Sequence, residues 1–201
     1  GTSTCHLILD KREVFAEGVA GVVQDGVLPG YYAYESGQAA VGDIFAWVTK
    51  LGLPEDYYQE SKEINISIHE LLLRKSVDQK VGQHGLLALD WLNGNRSVLM
   101  DSDLSGVLVG LTLNTKAEDI YRAMIEGTAF GTRVIIENFE KNGIKVEEIY
   151  VCGGIVSNSM LVQIYSDITG KTIKVAASEQ TTALGAAILG VMAAGPECEG
   201  L

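Results

Sequence analysis

Tyr150-Val151-Cys152-Gly153-Gly154-Ile155-Val156-Ser157-Asn158 is the stretch on which the reading of this chain turns. Ile149, Tyr150 and Val151 are the apolar, β-favouring end of a strand, and Cys152 reads as a slim buried residue closing it. Gly153 and Gly154 follow at once, then Ser157 and Asn158, both good helix N-caps. Met160, Leu161, Ile164, Tyr165 and Ile168 continue at helical spacing. Strand, glycine turn and helix N-terminus in that order let a backbone approach a flat or anionic ligand. Glycine removes the Cβ that would stand in the way, and the first helical N–H groups are free donors at the positive dipole end. Taken alone, the stretch also reads as a tight connection that binds nothing.

Upstream, Gly106 to Leu111 reads as a strand. Thr115, with Glu118 three residues on, predicts a capping box opening a long helix. Ile120, Met124, Gly127, Phe130, Val134, Ile135 and Phe139 are its predicted buried stripe, and Asn142-Gly143 ends it. Gly127 and Gly131 leave a flat groove for packing on a sheet. Ile144 to Val151 is the strand entering the central stretch. Downstream, Gly170 ends a helix, Thr172 to Val175 is a strand, and Thr181 to Ala187 opens a small-residue helix expected to be buried.

The beginning has a different character. Cys5 to Leu9, Ala20 to Val23 and Tyr31 to Tyr34 read as strands of an antiparallel meander, with hairpin turns at Asp25-Gly26 and Pro29-Gly30. Gly1-Thr2-Ser3-Thr4 has the composition of a loop that wraps a phosphate with backbone N–H and hydroxyl groups, or of an ordinary polar turn. Glu35 is expected at the end of a strand, where a carboxylate reaches a cleft, and Gly42 would let a ligand ring lie against the helix running to Leu51. Residues 52–96 read as a helical insertion, with one mixed polar helix around Glu60 to Lys75, a loop at Gln79 to Gly85 and a short strand at Leu86 to Leu89. Asp101 and Asp103 are in position to pair with Arg96.

Composition narrows the function. The chain has 201 residues, 47% of them hydrophobic, enough for one α/β domain with its own core. A net charge of −11 argues against nucleic acid or an anionic membrane as partner, so a phosphorylated ligand must be met by backbone donors and a divalent cation. No apolar run reaches the length of a membrane span and no secretion signal is evident, which points to the cytoplasm. Cys5, Cys152 and Cys198 lack metal-ligand spacing, and no metal-ligating residue is singled out. Neither a P-loop nor a dinucleotide-binding glycine motif occurs. The order of elements, a meander followed by repeated helix-strand units, is that of a ribonuclease H-like domain of the actin-type ATPases: α/β, with a mixed sheet and a helical insertion.

Over essentially its whole length the chain resembles the C-terminal domain of the FGGY family of carbohydrate kinases. Gly1-Thr2-Ser3-Thr4-Cys5 is similar to the family's phosphate-contacting hairpin, and Gly153-Gly154-x-x-x-Asn158, backed by Ala183-Leu184-Gly185-Ala186-Ala187, to its adenosine motif. Gly106-x-Leu108-x-Gly110-Leu111, followed by Asp119-Ile120-x-x-Ala123-Met124-Ile125-Glu126, resembles its C-terminal signature. Glu35-x-Gly37-Gln38-x-Ala40-x-Gly42-Asp43 and Asp90 to Arg96 look most like the L-ribulokinase branch.

The resemblance implies phosphate contacts from Thr2 and Ser3, and nucleotide contacts from Gly42, Gly153, Gly154 and Asn158. It also implies a sugar contact from Glu35. Related kinases can have a nucleotide-reaching glutamine near Ala46, a contact that alanine cannot make. The implied reaction is transfer of the γ-phosphoryl of Mg-ATP to a ketopentose hydroxyl, that of L-ribulose. Xylulose, a related polyol, or a non-catalytic nucleotide switch are the alternatives. The catalytic base is expected outside this chain, just upstream of the hairpin, so the chain is expected to be an excised and inactive half that lacks a final helix beyond Gly200. Its expected partners are a small-molecule sugar, its own N-terminal kinase domain and, through an exposed inter-domain face, a second copy in a homodimer.

Overall fold

The computed structural model describes residues 2–178 and 180–195, so Gly1, Cys198 and the region beyond Gly200 lie outside the described residues. Among the described residues, seven strands form three small sheets around one long helix, with five further helices. β1 (Thr4–Asp10), β2 (Gly21–Gln24) and β3 (Tyr32–Gln38) form an antiparallel sheet in the order β1-β3-β2. A meander would place β2 in the middle. β3 takes that place because it is the most deeply buried of the three, with Tyr34 fully buried against α4 (Ala117–Lys141). The turn before β3 also differs from two tight hairpins. Asp25 adopts a left-handed φ of 58°, its N–H donates to the Tyr31 carbonyl, and its Oδ1 accepts from the Gly30 N–H, so residues 25–31 close as one loop.

Helix α1 (Gly42–Lys50) begins where the sequence places it. The single helix expected over residues 60–75 is two, α2 (Glu55–Glu63) and α3 (Ile68–Lys75). Asn65 breaks the run with a φ of 53°, and Ser67 then caps α3 by accepting from the Glu70 N–H. β4 (Leu87–Leu89) and β5 (Val107–Val109) form an antiparallel pair under α4. α4 itself starts one residue later than predicted, with Lys116 in place of Thr115 as its N-cap. Asp119 Oδ2 accepts from the Lys116 N–H, whereas Glu118 is drawn into the core to accept from Tyr57 Oη at 2.5 Å.

Gly127 and Gly131 do lie against the sheets. A Cβ on Gly127 would stand 2.8 Å from the Ala88 carbonyl oxygen, and one on Gly131 2.6 Å from Gln38 Nε2. Phe130 and Val134 are exposed, because the face of α4 that carries them is not the one covered by α1, α3 and α5. β6 (Glu148–Val151), a 3-10 turn (Gly154–Ser157), α5 (Ser159–Thr169) and β7 (Thr172–Val175) complete a parallel βαβ unit. Gly170 ends α5 in the left-handed region at φ 65°. The main core joins α1, α3, α4 and α5 through Ile44, Leu72, Met124, Ile125 and Ile164; a smaller one joins Tyr34, Ile135, Phe139 and Ile144. α6 (Thr181–Ala194) has no buried residue, contrary to the burial its small-residue composition predicts.

Candidate functional site

A cleft of about 840 Å³ opens between β1 and the β6-turn-α5 segment. Ser3, Gly42, Gly153 and Gly154 all line it, although they come from three distant parts of the chain. The hydroxyl-bearing turn is fastened to the start of α1 by main-chain bonds: the Thr2 carbonyl accepts from the N–H groups of Val41 (2.8 Å) and Gly42 (3.1 Å). Gly153 holds a φ of 83°, which admits glycine and few other residues, and no atom lies within 4 Å of where a Cβ would sit on Gly153 or Gly154. That open space is the close-approach geometry that the glycine pair suggests. Asn158 caps α5, its Oδ1 accepting from the Met160 N–H at 2.9 Å, so its side chain is committed to the helix end; Asn158, like Thr2, does not line the cleft. Ser157 instead donates to the Gly154 carbonyl at 2.8 Å and closes the 3-10 turn, an element with no signal of its own in the sequence. Cys152 is exposed on the cleft wall rather than buried, since β6 ends at Val151 and the turn lifts away from the core.

Glu35 lies in the middle of β3, not at its end, paired in register with Leu7 on one side and Gly21 on the other. Alternation puts it on the face opposite Tyr34, Ser36 and Gln38, together with its cross-strand neighbour Leu7 and with Gly37 and Cys5. There the Arg96 guanidinium donates to the Glu35 carboxylate. Arg96 is thus taken by Glu35 and not by Asp101 or Asp103; Asp101 Oδ1 accepts the Asp103 N–H at 2.8 Å and shapes its own loop. Burial raises the nearby Cys5 thiol above its ordinary value, and the Glu35 charge adds to that. Glu35 does not line the large cleft.

A buried polar network that residue types did not reveal holds β3, and through Thr4 also β1, to α4. Gln38 Nε2 donates to Asp90 Oδ2 (2.6 Å) and to the Thr128 carbonyl (2.7 Å). Gln38 Oε1 accepts from Thr132 (2.8 Å) and from Thr4 (3.2 Å), the residue after Ser3. Burial pushes the Asp90 carboxyl up, with the Gln38 hydrogen bond opposing it. His6, one turn of the pleat along β1, has a buried Nδ1 with no hydrogen-bond partner among the described residues, and burial, with Arg96 second, lowers its pKa to about 4. Among the described residues no group of three His, Cys, Asp or Glu side chains could hold a metal ion, and no helix is long and apolar enough to cross a membrane.

Comparison with known proteins gives matches over almost the whole chain. The family model for the C-terminal domain of the FGGY family of carbohydrate kinases matches residues 1–194. A ribulokinase of Halalkalibacterium halodurans is 53% identical over 201 residues, covering all of this chain and 36% of that protein. One of Geobacillus thermodenitrificans is 52% identical over 198 residues, covering 98% of this chain and 35% of that protein. The chain therefore spans about a third of the length of these relatives. Among solved structures, xylulose kinase of Rhodospirillum rubrum superposes with a TM-score of 0.78 at 22% identity, over 95% of this chain and 37% of that one. Glycerol kinase of Plasmodium falciparum, solved with ADP, gives a TM-score of 0.71 at 26% identity over 94% of this chain and 36% of that one.

Proposed function

The chain belongs to the FGGY family of carbohydrate kinases, and from that premise we propose that it is the nucleotide-binding part of a longer kinase that phosphorylates L-ribulose. Its fold is the α/β fold of the actin-like ATPases. The convergence of Ser3, Gly42, Gly153 and Gly154 on one cleft is the observation that carries the nucleotide half of this reading. In it, the adenosine lies against the Gly153-Gly154 backbone, with Gly42 on the opposite wall and Asn158 holding the α5 N-terminus beside it. The hydroxyls of Thr2 and Ser3 donate to the β- and γ-phosphates. Glu35, oriented by Arg96, accepts from hydroxyls of the sugar. Phosphoryl transfer asks chiefly for positioning and charge neutralisation, so a half that supplies backbone donors and hydroxyls suits the task.

Magnesium enters as part of the Mg-ATP substrate, held by the phosphates. The base for the sugar hydroxyl is assigned to a companion N-terminal domain; the length of the relatives supports one. The ketopentose assignment rests on the ribulokinases' similarity, and ADP in the glycerol kinase structure supports the nucleotide assignment. The test is ATP-dependent phosphorylation by the full-length protein across L-ribulose, D-ribulose, xylulose and glycerol. Highest kcat/KM on L-ribulose is the expected result. Preference for another polyol overturns the substrate, and nucleotide binding without turnover of any of them overturns the enzyme in favour of a nucleotide switch.

A further inference from the structure

We propose that Gln38 is a positioning residue for phosphoryl transfer. Its buried amide ties the hydroxyl-bearing turn at Thr2 to Thr4 to the loop that carries Arg96, so that a sugar seated at Glu35 and a nucleotide seated in the cleft favour one another. The proposal rests on the kinase reading above and deepens it, by naming the internal link between the sugar side and the phosphate side of the site.

Gln38 is 4% exposed, and every hydrogen-bonding position of its side-chain amide is filled. Nε2 faces two oxygens, Asp90 Oδ2 and the Thr128 carbonyl, while Oε1 takes hydroxyl protons from Thr4 and Thr132. Turned over, the amide would set oxygen against the Thr128 carbonyl oxygen, so one orientation is fixed. Three parts of the proposed site hang on these bonds. Thr4 follows Ser3 directly, and its 3.2 Å bond to Oε1 anchors a turn whose other anchor is the Thr2 carbonyl on the Val41 and Gly42 N–H groups. Asp90 opens the loop that returns to β3 twice more: the Gly37 N–H donates to Ser97 Oγ at 3.2 Å, and Arg96 donates to Glu35. Thr128 Oγ1 accepts from Tyr165 Oη at 2.7 Å, and Tyr165 belongs to α5, the helix after the Gly153-Gly154 turn. A displacement at Glu35 therefore reaches Thr4 both along β3 and through the loop.

Helix α4 is shaped to admit this pair. A Cβ on Gly131 would stand 2.6 Å from Gln38 Nε2 and 2.8 Å from Asp90 Oδ2, and both atoms are locked by their bonds. Stability alone does not ask for such an arrangement. Asp90 is 8% exposed, so its carboxyl is desolvated, and apolar side chains in place of both partners would hold β3 on α4 without that cost. What a fully satisfied buried network supplies instead is one defined geometry, shared by all its members.

Calorimetric titration of the full-length protein with a non-hydrolysable ATP analogue, with and without saturating L-ribulose, reads the link directly. In the wild type the sugar should tighten nucleotide binding by about 5-fold or more, and the nucleotide should tighten sugar binding by the same factor. Thr4→Val removes only the hydroxyl link between the turn and Gln38 and leaves the other bonds of the buried amide in place. The factor should then fall below about 2-fold, while each ligand alone binds within about 2-fold of wild type. Gln38→Glu, which sets oxygen against Asp90 and the Thr128 carbonyl, should lose the factor as well. Combining it with Asp90→Asn puts the amide on the other side of the bond and should recover most of the factor. Intact coupling in Thr4→Val overturns the proposal, as do variants that lower the urea midpoint or weaken each ligand alone with the coupling unchanged, which would make the network a structural staple. A wild type that binds both ligands independently overturns the link and leaves the kinase reading standing. One that fails to bind L-ribulose or the analogue overturns the proposed function and the link with it.

Discussion

Arg96 donates to the Glu35 carboxylate across 61 residues of sequence, on the face of the β1-β3-β2 sheet that turns away from α4. Both side chains are more than a third exposed, so the pair contributes little to stability and its value lies in fixing where the carboxylate points. Glu35→Ala in the full-length protein should lower kcat/KM for the sugar by about 100-fold and leave ATP affinity unchanged, with a stability change below about 1 kcal/mol. Arg96→Ala should cost less, about 10-fold, and mostly in sugar KM. Steady-state kinetics with each substrate varied separately decides it; unchanged sugar turnover in Glu35→Ala removes that residue from the site.

The glycine pair gives a prediction in which binding and folding come apart. Gly154 has open space where a Cβ would point, so Gly154→Asp should fold with an unchanged urea midpoint. The added carboxylate would occupy the approach to the cleft and repel a phosphorylated ligand, weakening nucleotide binding by about 100-fold or more. Calorimetric titration with ADP and a urea curve are the measurements. Lost binding with lost stability would mean that the glycine is structural.

Gly127 makes the opposite prediction. Its missing Cβ is replaced by the Ala88 carbonyl at 2.8 Å, a backbone atom of β4 that cannot swing aside. Gly127→Ala gains about 1 kcal/mol of helix propensity but must push β4 off α4, for a net loss of about 1–3 kcal/mol. Chemical denaturation measures it, and a stabilised variant would show that the two elements slide easily.

His6 is held neutral by burial, with Arg96 adding to the effect, and its pKa in the folded chain is about 4 against an ordinary value of 6.5. The unfolded chain therefore binds the proton more tightly, and folding stability is complete above pH 6.5 and falls as pH drops toward 4. The loss attributable to His6 is at most about 3 kcal/mol. Urea midpoints from pH 7.5 to 4 for wild type and His6→Gln should converge as pH falls, since the variant lacks this titration. Parallel curves would show that His6 meets solvent in the folded state.

Asn158 completes the set. Its Oδ1 satisfies the Met160 N–H at the start of α5, so Asn158→Ala should destabilise by about 1 kcal/mol, and Asn158→Asp should retain most of that stability. Thermal melts of the three proteins check it.

Sequence alone determined what depends on neighbours a few residues apart. The glycine turn at Gly153-Gly154, the Asn158 cap, the Gly170 stop and the flat groove of Gly127 and Gly131 were all legible, because each follows from the backbone freedom or side-chain reach of the residues that spell it. The run of helices and strands from Val107 onward was legible for the same reason, with α6 misjudged only in its burial. Tertiary structure decided the rest. The strand order β1-β3-β2, the partner of Arg96, the bond between Thr132 and Gln38 across 94 residues and the burial of His6 depend on which distant segments share a sheet face. A carboxylate in sequence carries no mark of the guanidinium it will meet, since that pairing is fixed by long-range packing and by the alternation of a strand whose neighbours are themselves set by burial.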